Sequence, residues 1–144
     1  MINIICVGKI KEEYLSLMIN DYCKRINKYH KLNIIELKDS NITNEGDLIL
    51  KNIKSNDFIV TMEIEGENLS SVELSSKIDN WLMKSANITF IIGGSDGIDP
   101  RVKEISNYKL SFGKNTFPHG VFRAILLEQI YRSFKILNNE TYHK

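Results

Sequence analysis

The chain has 144 residues, of which 42% are hydrophobic and 26% are charged, and its formal net charge is +1. This composition predicts one folded domain over residues 1–144, and the small charge excludes a globally basic nucleic-acid-binding surface. No run approaches the roughly 20 apolar residues of a membrane span, and the amino terminus lacks the basic leader of a signal peptide, so we expect a cytoplasmic protein with no membrane partner.

The first half of the chain predicts two strand–helix units. Residues 2–7 are almost continuously apolar and predict a short strand that ends at Gly8. Residues 12–27 carry apolar side chains at i, i+3 and i+4, which is typical of an amphipathic helix. A second strand is predicted over residues 32–37, and a modest helix near 45–55 follows a polar stretch.

The alternation continues in the middle of the chain. Residues 58–64 predict a strand that ends in a turn at Glu65-Gly66. The Ser70-x-x-Glu73 pattern of a capping box begins the next helix. Residues 88–92 are apolar on both faces and predict a central, buried strand.

The last third predicts a short helix, a strand and a long helix. Asp99-Pro100 begins the short helix, which reaches about Ser106; the fifth strand spans residues 108–112, and the long helix runs from about 118 to 137. Five alternations predict an α/β domain with a mostly parallel sheet and helices on both faces. In open α/β sheets, ligands bind beyond the carboxyl ends of the strands.

Two loops at those strand ends are candidate ligand sites. Gly93-Gly94-Ser95-Asp96-Gly97 allows close backbone approach, although a simple tight turn is an equal alternative. It lacks the spacing of a Walker loop or a dinucleotide fingerprint. The loop from Ser111 to His119 offers amides, a hydroxyl and two aromatic rings that suit adenine, although a plain connection is the more common reading. Two widely spaced cysteines, Cys6 and Cys23, predict buried thiols and no metal site.

The carboxyl-terminal helix and tail add further candidates. A helix that is apolar over most of its circumference is either sandwiched or part of an interface, and we favour a homodimer. Arg123 lies among apolar positions near His119 and needs a partner or a purpose. For Arg132, the simple alternative to a functional role is an i, i+4 ion pair with Glu128. The terminal Tyr142-His143-Lys144 either suits single-stranded RNA or is frayed.

Taken in order, a set of segments resembles the RlmH-type ribosomal RNA large-subunit methyltransferases of the SPOUT superfamily. These segments are Val7-Gly8-Lys9, Glu63-Ile64-Glu65-Gly66, Phe90 to Gly97, Phe117-Pro118-His119, Arg123, Glu128 to Arg132 and the terminal Tyr142-His143-Lys144. The resemblance spans essentially the whole chain. It implies an S-adenosylmethionine-dependent enzyme that methylates ring N3 of a pseudouridine in a stem-loop of 23S ribosomal RNA, within an assembled ribosomal particle. It also implies a homodimer, a trefoil knot in the carboxyl-terminal half, and a site completed by the partner subunit.

The resemblance also implies roles for individual residues. Cofactor contacts are expected at Met62, Gly93, Phe112, Gly113, Lys114, Asn115, Thr116 and Phe117. Catalytic candidates are His119, Arg123 and His143, as a proton acceptor, a guanidinium that steadies the imidate or a phosphate, and a tail that closes over the base. RNA contacts are expected at Arg132, Tyr142 and Lys144, with phosphate contacts also from Lys9, Lys11, Lys24, Arg25 and Lys28, although solvated surface is an equal alternative for these five.

Two other functions stay open at this point. One is a non-catalytic module of the same architecture that binds an adenosine nucleotide or RNA. The other is an enzyme that uses the same cofactor on tRNA.

Overall fold

The computed structural model describes all 144 residues, in which five strands alternate with five helices. The strands are β1 (Ile2–Val7), β2 (Leu32–Leu37), β3 (Asp57–Asn68), β4 (Asn87–Ile92) and β5 (Tyr108–Ser111). The helices are α1 (Glu13–Asn27), α2 (Ile42–Asn52), α3 (Ser71–Lys84), α4 (Pro100–Glu104) and α5 (His119–Leu137). The predicted α/β alternation is confirmed.

The five strands form one parallel sheet in the order β2-β1-β4-β3-β5. Strand β4 lies in the middle, between β1 and β3, and its residues Ile88 to Ile92 are buried. This placement confirms the central strand predicted from its apolar sequence. Because all strands point the same way, their carboxyl ends meet at one edge of the sheet.

Helices cover both faces of the sheet, as predicted. Ile4 and Phe90 belong to a core beneath α1, α3 and α5, whereas their sequence neighbours Ile5 and Ile91 belong to a core beneath α2 and α4. This alternation follows from the two-residue period of a strand. Of the two cysteines, Cys6 is buried and Cys23 is half-buried, and burial raises the pKa of the Cys6 thiol to about 11.

Helix α5 packs between α1 and α3 on one face of the sheet. Tyr131 contacts Tyr22 of α1, with ring centroids 5.9 Å apart, and Gln129 accepts a 2.7 Å hydrogen bond from Ser71 of α3. Four residues of α5 itself are buried in this packing: Ala124, Leu126, Leu127 and Ile130. Packing within one chain therefore explains why α5 is apolar over most of its circumference. The same apolar pattern had favoured an interface between chains in the sequence analysis.

Two elements differ from the sequence-based prediction. Strand β3 continues through Gly66 to Asn68, where a turn at Glu65-Gly66 was predicted. Its pairing with Leu110 of β5 shifts from Met62 to Glu67, so the residues between form a bulge. Helix α2 spans Ile42–Asn52 instead of 45–55, because the Asn41 side chain caps it and accepts a 2.8 Å hydrogen bond from the Asn44 amide.

None of the five helices combines the length and the apolar character needed to cross a lipid bilayer.

Candidate active site

A cavity of about 770 Å³ opens at the carboxyl ends of β3, β4 and β5. Its volume falls within the range of about 300–1,000 Å³ that is usual for small-molecule sites. The wall is built from the β3 bulge, the turn after β4, the loop after β5, and the segment that joins β2 to α2. The parallel sheet brings these segments together, since they follow strands that end at the same edge.

Seven of the eight residues predicted to contact a cofactor line this cavity. They are Met62, Gly93, Phe112, Gly113, Asn115, Thr116 and Phe117. Lys114 is exposed in the same loop and is not part of the wall. Three segments that are far apart in sequence therefore meet at one cavity, and their contact with a cofactor stays a prediction.

The glycine-rich turn after β4 is tight, and it also lines the cavity. A Cβ atom at Gly93 would lie 2.6 Å from the carbonyl oxygen of Gly97, which is closer than real Cβ contacts. The Gly97 amide donates a 3.0 Å hydrogen bond to Gly94, and Gly97 has a φ of +86°. Gly93 is thus required by closure of the turn, which was one of the two alternatives that the sequence left open, and it also lines the cavity.

The loop after β5 supplies a polar hinge and an aromatic wall. Gly113 has a φ of +114°, a conformation that favours glycine, and its amide donates a 3.1 Å hydrogen bond to the Ser111 hydroxyl. The ring of Phe122 lies 5.6 Å from that of Phe112 and 6.2 Å from that of Phe117, between centroids. Three aromatic rings on one wall suit a flat heterocycle.

Sequence reasoning missed several residues that line this cavity. Phe122 lies in the first turn of α5, and its spacing of five residues from Phe117 was the available signal. Glu45 is buried and accepts a 2.9 Å hydrogen bond from the Ser40 amide. Glu63, on the bulge, accepts a 2.6 Å hydrogen bond from the Thr61 hydroxyl. Asp39 and Lys103 also contribute to the wall. Glu63 stands in one of the segments that carry the family resemblance, although it was given no role there. No local motif marks Glu45, Asp39 or Lys103, because only the packing of loops at the sheet edge brings them to the site.

His119 begins α5 and lines the cavity. Its Nε2 atom lies 3.2 Å from Nη2 of Arg123. Burial and the nearby Arg123 charge lower the pKa of His119, and the carboxylates of Asp39 and Glu36 oppose this shift only in part. The imidazole is therefore neutral at neutral pH.

Arg123 is 1% exposed and lies behind the cavity wall rather than on it. Its guanidinium forms a salt bridge with Glu36 of β2 and donates a 3.1 Å hydrogen bond to the Gly8 carbonyl at the end of β1. This is the partner that sequence analysis required for a charge among apolar positions. Because the group is buried and paired, the structure does not bring it to a ligand in the cavity.

Arg132 forms the predicted ion pair with Glu128 and also holds the tail. The Arg132–Glu128 distance is 2.8 Å, and the guanidinium lies 4.7 Å above the Tyr142 ring. Its Nη1 atom lies 3.1 Å from Nδ1 of His143. The Tyr142 hydroxyl donates a 2.9 Å hydrogen bond to Glu128, and burial together with its hydrogen bonds raises the pKa of Tyr142. The tail is thus folded onto α5 and is not frayed.

The tail and the cavity lie at opposite parts of α5. His119 is at the first residue of this helix, and Arg132 lies more than three turns later, which corresponds to about 20 Å along the axis. Within one chain the structure therefore does not bring Arg132, Tyr142, His143 and Lys144 to the cavity.

Most of the predicted phosphate contacts lie on the surface. Lys9, Lys11, Lys24 and Lys28 are exposed. Arg25 is half-buried, pairs with Asp21 at 3.1 Å and stacks 5.5 Å from the centroid of Tyr22. The four lysines are accessible to RNA, whereas Arg25 already has partners within the chain.

The chain is similar to known proteins over its full length. The family model described as predicted SPOUT methyltransferase matches residues 1–143. A relative from Clostridium tetani, named ribosomal RNA large subunit methyltransferase H, is 48% identical, with 99% of each chain covered. A relative from Methanococcus maripaludis, named putative ribosomal RNA large subunit methyltransferase H, is 49% identical with the same coverage.

Solved structures share the fold at low sequence identity. A probable methylase family protein from Haemophilus influenzae has a TM-score of 0.60 and 14% identity, with 99% of this chain and 70% of that chain covered. The methyltransferase AviRb from Streptomyces viridochromogenes, solved with AdoMet, has a TM-score of 0.51 and 7% identity, with 92% and 57% covered. Together with the family match over nearly every residue, these likenesses show that the chain belongs to the SPOUT methyltransferase family.

Proposed function

We propose that this methyltransferase transfers a methyl group from S-adenosylmethionine to ring N3 of a pseudouridine in a stem-loop of 23S ribosomal RNA. The observation that carries the proposal is the 48–49% identity, over 99% of the chain, to relatives named ribosomal RNA large subunit methyltransferase H. The position of the cavity at the carboxyl ends of the central strands supports it, since ligands of α/β sheets bind there.

The cavity fits the proposed cofactor in size and chemistry. Phe112, Phe117 and Phe122 form an aromatic wall that suits adenine, and the loop amides beside them can meet its edge. The Glu45 carboxylate suits the positive charge of the cofactor, whereas the Glu63 carboxylate already lies 3.7 Å from the Lys103 ammonium in the same wall. When bound, S-adenosylmethionine supplies a methyl group that is already activated on a positive sulfur, so the main task of the protein is alignment.

The target nitrogen must lose a proton before it can accept the methyl group. It lies between two carbonyl groups, and its proton has to pass to a base. We propose His143 of the partner subunit as that acceptor, because an exposed imidazole on the tail can approach a base held in the other cavity. A loop nucleotide suits this site because it is easier to splay out than a paired one.

The proposal requires a homodimer. Arg132, which contacts His143 of the tail, lies about 20 Å along α5 from His119 at the cavity, so we propose that a tail completes a site across an interface. Tyr14, Leu17 and Met18 form an exposed apolar patch on α1, with exposed fractions of 70%, 64% and 41%. We propose that this patch, called the α1 patch below, is covered by the second copy. Arg132, Tyr142 and Lys144 would then contact RNA at the partner's cavity.

A trefoil knot in the carboxyl-terminal half is part of the same proposal. Its support is the family membership and the likeness in fold to other methyltransferases.

A two-stage experiment tests the proposed function. Calorimetric titration with S-adenosylmethionine measures binding, and labelled methyl transfer is then measured on assembled ribosomes, isolated large subunits, free ribosomal RNA and tRNA. Mass spectrometry of nuclease fragments locates the methyl group. We expect label on one pseudouridine of the large-subunit RNA, most strongly in an assembled particle. Binding without transfer would instead indicate a non-catalytic module, and label in tRNA would indicate a tRNA enzyme.

A further inference from the structure

We infer that Arg123 fixes His119 as a neutral imidazole with its proton on Nδ1, so that His119 offers the cavity an N–H donor instead of a proton acceptor. His119 is then a hydrogen-bond donor and not the base that its residue type suggested. Arg123 and Glu36 become positioning residues, which act through His119 without touching the substrate.

The side chains of Arg123 and His119 are in direct contact. A guanidinium has five N–H donors and no acceptor. Its Nη2 atom lies 3.2 Å from Nε2 of His119, which is a hydrogen bond only if Nε2 carries a lone pair. A proton on Nε2 would place two donors against each other. A neutral imidazole without a proton on Nε2 carries it on Nδ1.

Arg123 is held in place by Glu36 and by the Gly8 carbonyl. It is 1% exposed, its Nη1 atom pairs with Glu36, and its Nη2 atom donates to the Gly8 carbonyl at 3.1 Å. Gly8 itself has a φ of +97°, and a Cβ there would lie 3.0 Å from Nε2 of His119. The ends of β1 and β2 and the start of α5 together fix the geometry of this pair.

The charge state of the His119 imidazole depends on burial and on the charged groups around it. The charged groups that face it are Arg123 on α5, Glu36 on β2 and Asp39 just after β2; β1 contributes only the backbone of Gly8. Burial and Arg123 lower the pKa of His119 more than the two carboxylates raise it. The ring is therefore neutral at the pH of the cell, as a single tautomer requires.

The other ring nitrogen of His119, Nδ1, has a different environment from Nε2. Nδ1 of His119 makes no hydrogen bond within the chain, although the residue lines the cavity. Unlike His30 Nδ1, Asp57 Oδ1 and Arg123 Nε, which are buried without a partner, His119 Nδ1 is not buried. The Nδ1–H group is thus accessible and free to donate.

The consequence for catalysis rests on the proposed function. The target nitrogen gives up its proton to a base, its electron pair forms the new N–C bond, and the C–S bond breaks with its pair left on sulfur, which becomes a neutral thioether. Before the bond forms, negative charge spreads from the nitrogen to the adjacent carbonyl oxygens. An N–H donor aimed at such an oxygen stabilises the transition state, typically by about a hundredfold to a thousandfold in rate.

Nuclear magnetic resonance of the ligand-free protein tests the tautomer without any assay of activity. In protein labelled with ¹⁵N-histidine, long-range ¹H–¹⁵N correlation distinguishes the protonated ring nitrogen from the bare one, and loss of the signals in His119→Gln assigns them. We expect a proton on Nδ1 and a bare Nε2 at pH 7.5. A proton on Nε2, or a doubly protonated ring, would overturn the inference.

Two amide substitutions test the role of the donor in the reaction. In His119→Asn the amide nitrogen can occupy the position of Nδ1, and in His119→Gln the amide reaches only the position of Nε2. We expect His119→Asn to keep kcat within about tenfold of the unmodified protein and His119→Gln to lose about a hundredfold. Equal losses in the two variants would overturn the donor role, since neither amide can act as a base.

Arg123→Met tests the positioning role directly. We expect the Nε2-protonated tautomer to appear in its spectrum and kcat to fall while the protein remains folded. If this variant fails to fold, Glu36→Gln replaces it, because it weakens the anchor of Arg123 at a partly exposed residue. An unchanged tautomer in a folded variant of either kind would overturn the positioning role. Absence of methyl transfer from every form of the protein would instead count against the proposed function, and the tautomer would still be decided by the spectrum.

Discussion

Gly93, in the cavity wall, and Arg123, behind that wall, show how single residues define the cavity. Gly93 has room only for hydrogen in place of a side chain, because the Gly97 carbonyl closes the turn against it. Arg123 ties the ends of β1 and β2 to the start of α5 through Gly8 and Glu36. Both residues act on the shape and the charge of the site, which gives each a measurable consequence.

Replacing Gly93 by alanine should distort the turn after β4. The added Cβ would lie 2.6 Å from the Gly97 carbonyl oxygen, so we expect the free energy of unfolding to fall by about 1–3 kcal/mol and the affinity for S-adenosylmethionine to weaken. Urea denaturation and calorimetric titration measure the two effects. Asp96→Ala is the matched control, since Asp96 is exposed in the same turn and outside the cavity wall. Equal behaviour of the two variants would contradict the prediction.

The lowered pKa of His119 should appear in the pH dependence of stability. As pH falls through the unfolded value of about 6.5, the unfolded chain takes up a proton that the folded protein accepts only at lower pH. Stability is therefore lost as the solution becomes more acidic. Comparing Tm between pH 8 and pH 5.5, we expect a smaller decrease for His119→Gln than for the unmodified protein. Burial also lowers the pKa of His30, but His30 is present in both proteins, so its effect is the same in both curves. Parallel curves would contradict the prediction.

At the scale of elements, the bulge of β3 and the early start of α2 shape the rim of the cavity. The bulge carries Glu63, Ile64 and Glu65 into the wall, and the start of α2 places Ser40 and Glu45 beside it. Both features depend on how one element ends against another. The cap of α2 therefore links the stability of a helix to the site.

Removing the cap of α2 tests this link. In Asn41→Ala the 2.8 Å hydrogen bond from the Asn44 amide is lost, so we expect a decrease of about 1 kcal/mol in the free energy of unfolding. We also expect weaker binding of S-adenosylmethionine, because the Ser40–Glu45 contact adjoins the cap. Asn41→Ser, which can still cap the helix, should recover most of both effects. A loss of stability with unchanged affinity would contradict the link.

At the scale of the whole molecule, one chain leaves its tail and its cavity apart. The tail packs on the second half of α5, while His119 lies at the beginning of that helix. The α1 patch remains exposed in the single chain. Assembly of two copies would bring a tail to a cavity and cover the α1 patch.

A charge in the α1 patch should prevent dimer formation. Leu17 is 64% exposed on α1, so Leu17→Glu should leave the fold intact, and burial of the new carboxylate in an interface would be unfavourable. We expect a monomer by size-exclusion chromatography with light scattering. Met83→Glu is the control, because Met83 is 75% exposed on α3, outside the patch. Dimers in both variants would show that the interface lies elsewhere.

Mixing two impaired variants should raise activity if each site uses two chains. Gly93→Ala damages the cavity, and His143→Ala removes the tail imidazole. Random exchange between equal amounts gives mixed dimers with one intact site, for which we expect about a quarter of the activity of the unmodified protein. Methyl transfer measured before and after subunit exchange provides the readout. No gain on mixing would contradict a site shared between subunits.

Hydropathy and turn chemistry in the sequence determined the α/β alternation, the buried central strand and the two loops at the sheet edge. Those features depend on local periodicity and on glycine, which a sequence displays directly. The turn predicted at Glu65-Gly66 was wrong, because pairing with β5 overrides the local signal at that glycine.

Only the tertiary structure decided which polar groups share the cavity and which remain behind it. Glu45 reaches the wall at the capped start of α2 and Glu63 on a bulge of β3, and no local pattern assigned either carboxylate to the site. The salt bridge between Arg123 and Glu36, and the hydrogen bond of Arg123 to Gly8, join residues that the chain separates by more than eighty positions. Such contacts follow from the order of strands in the sheet, which no short window of sequence encodes.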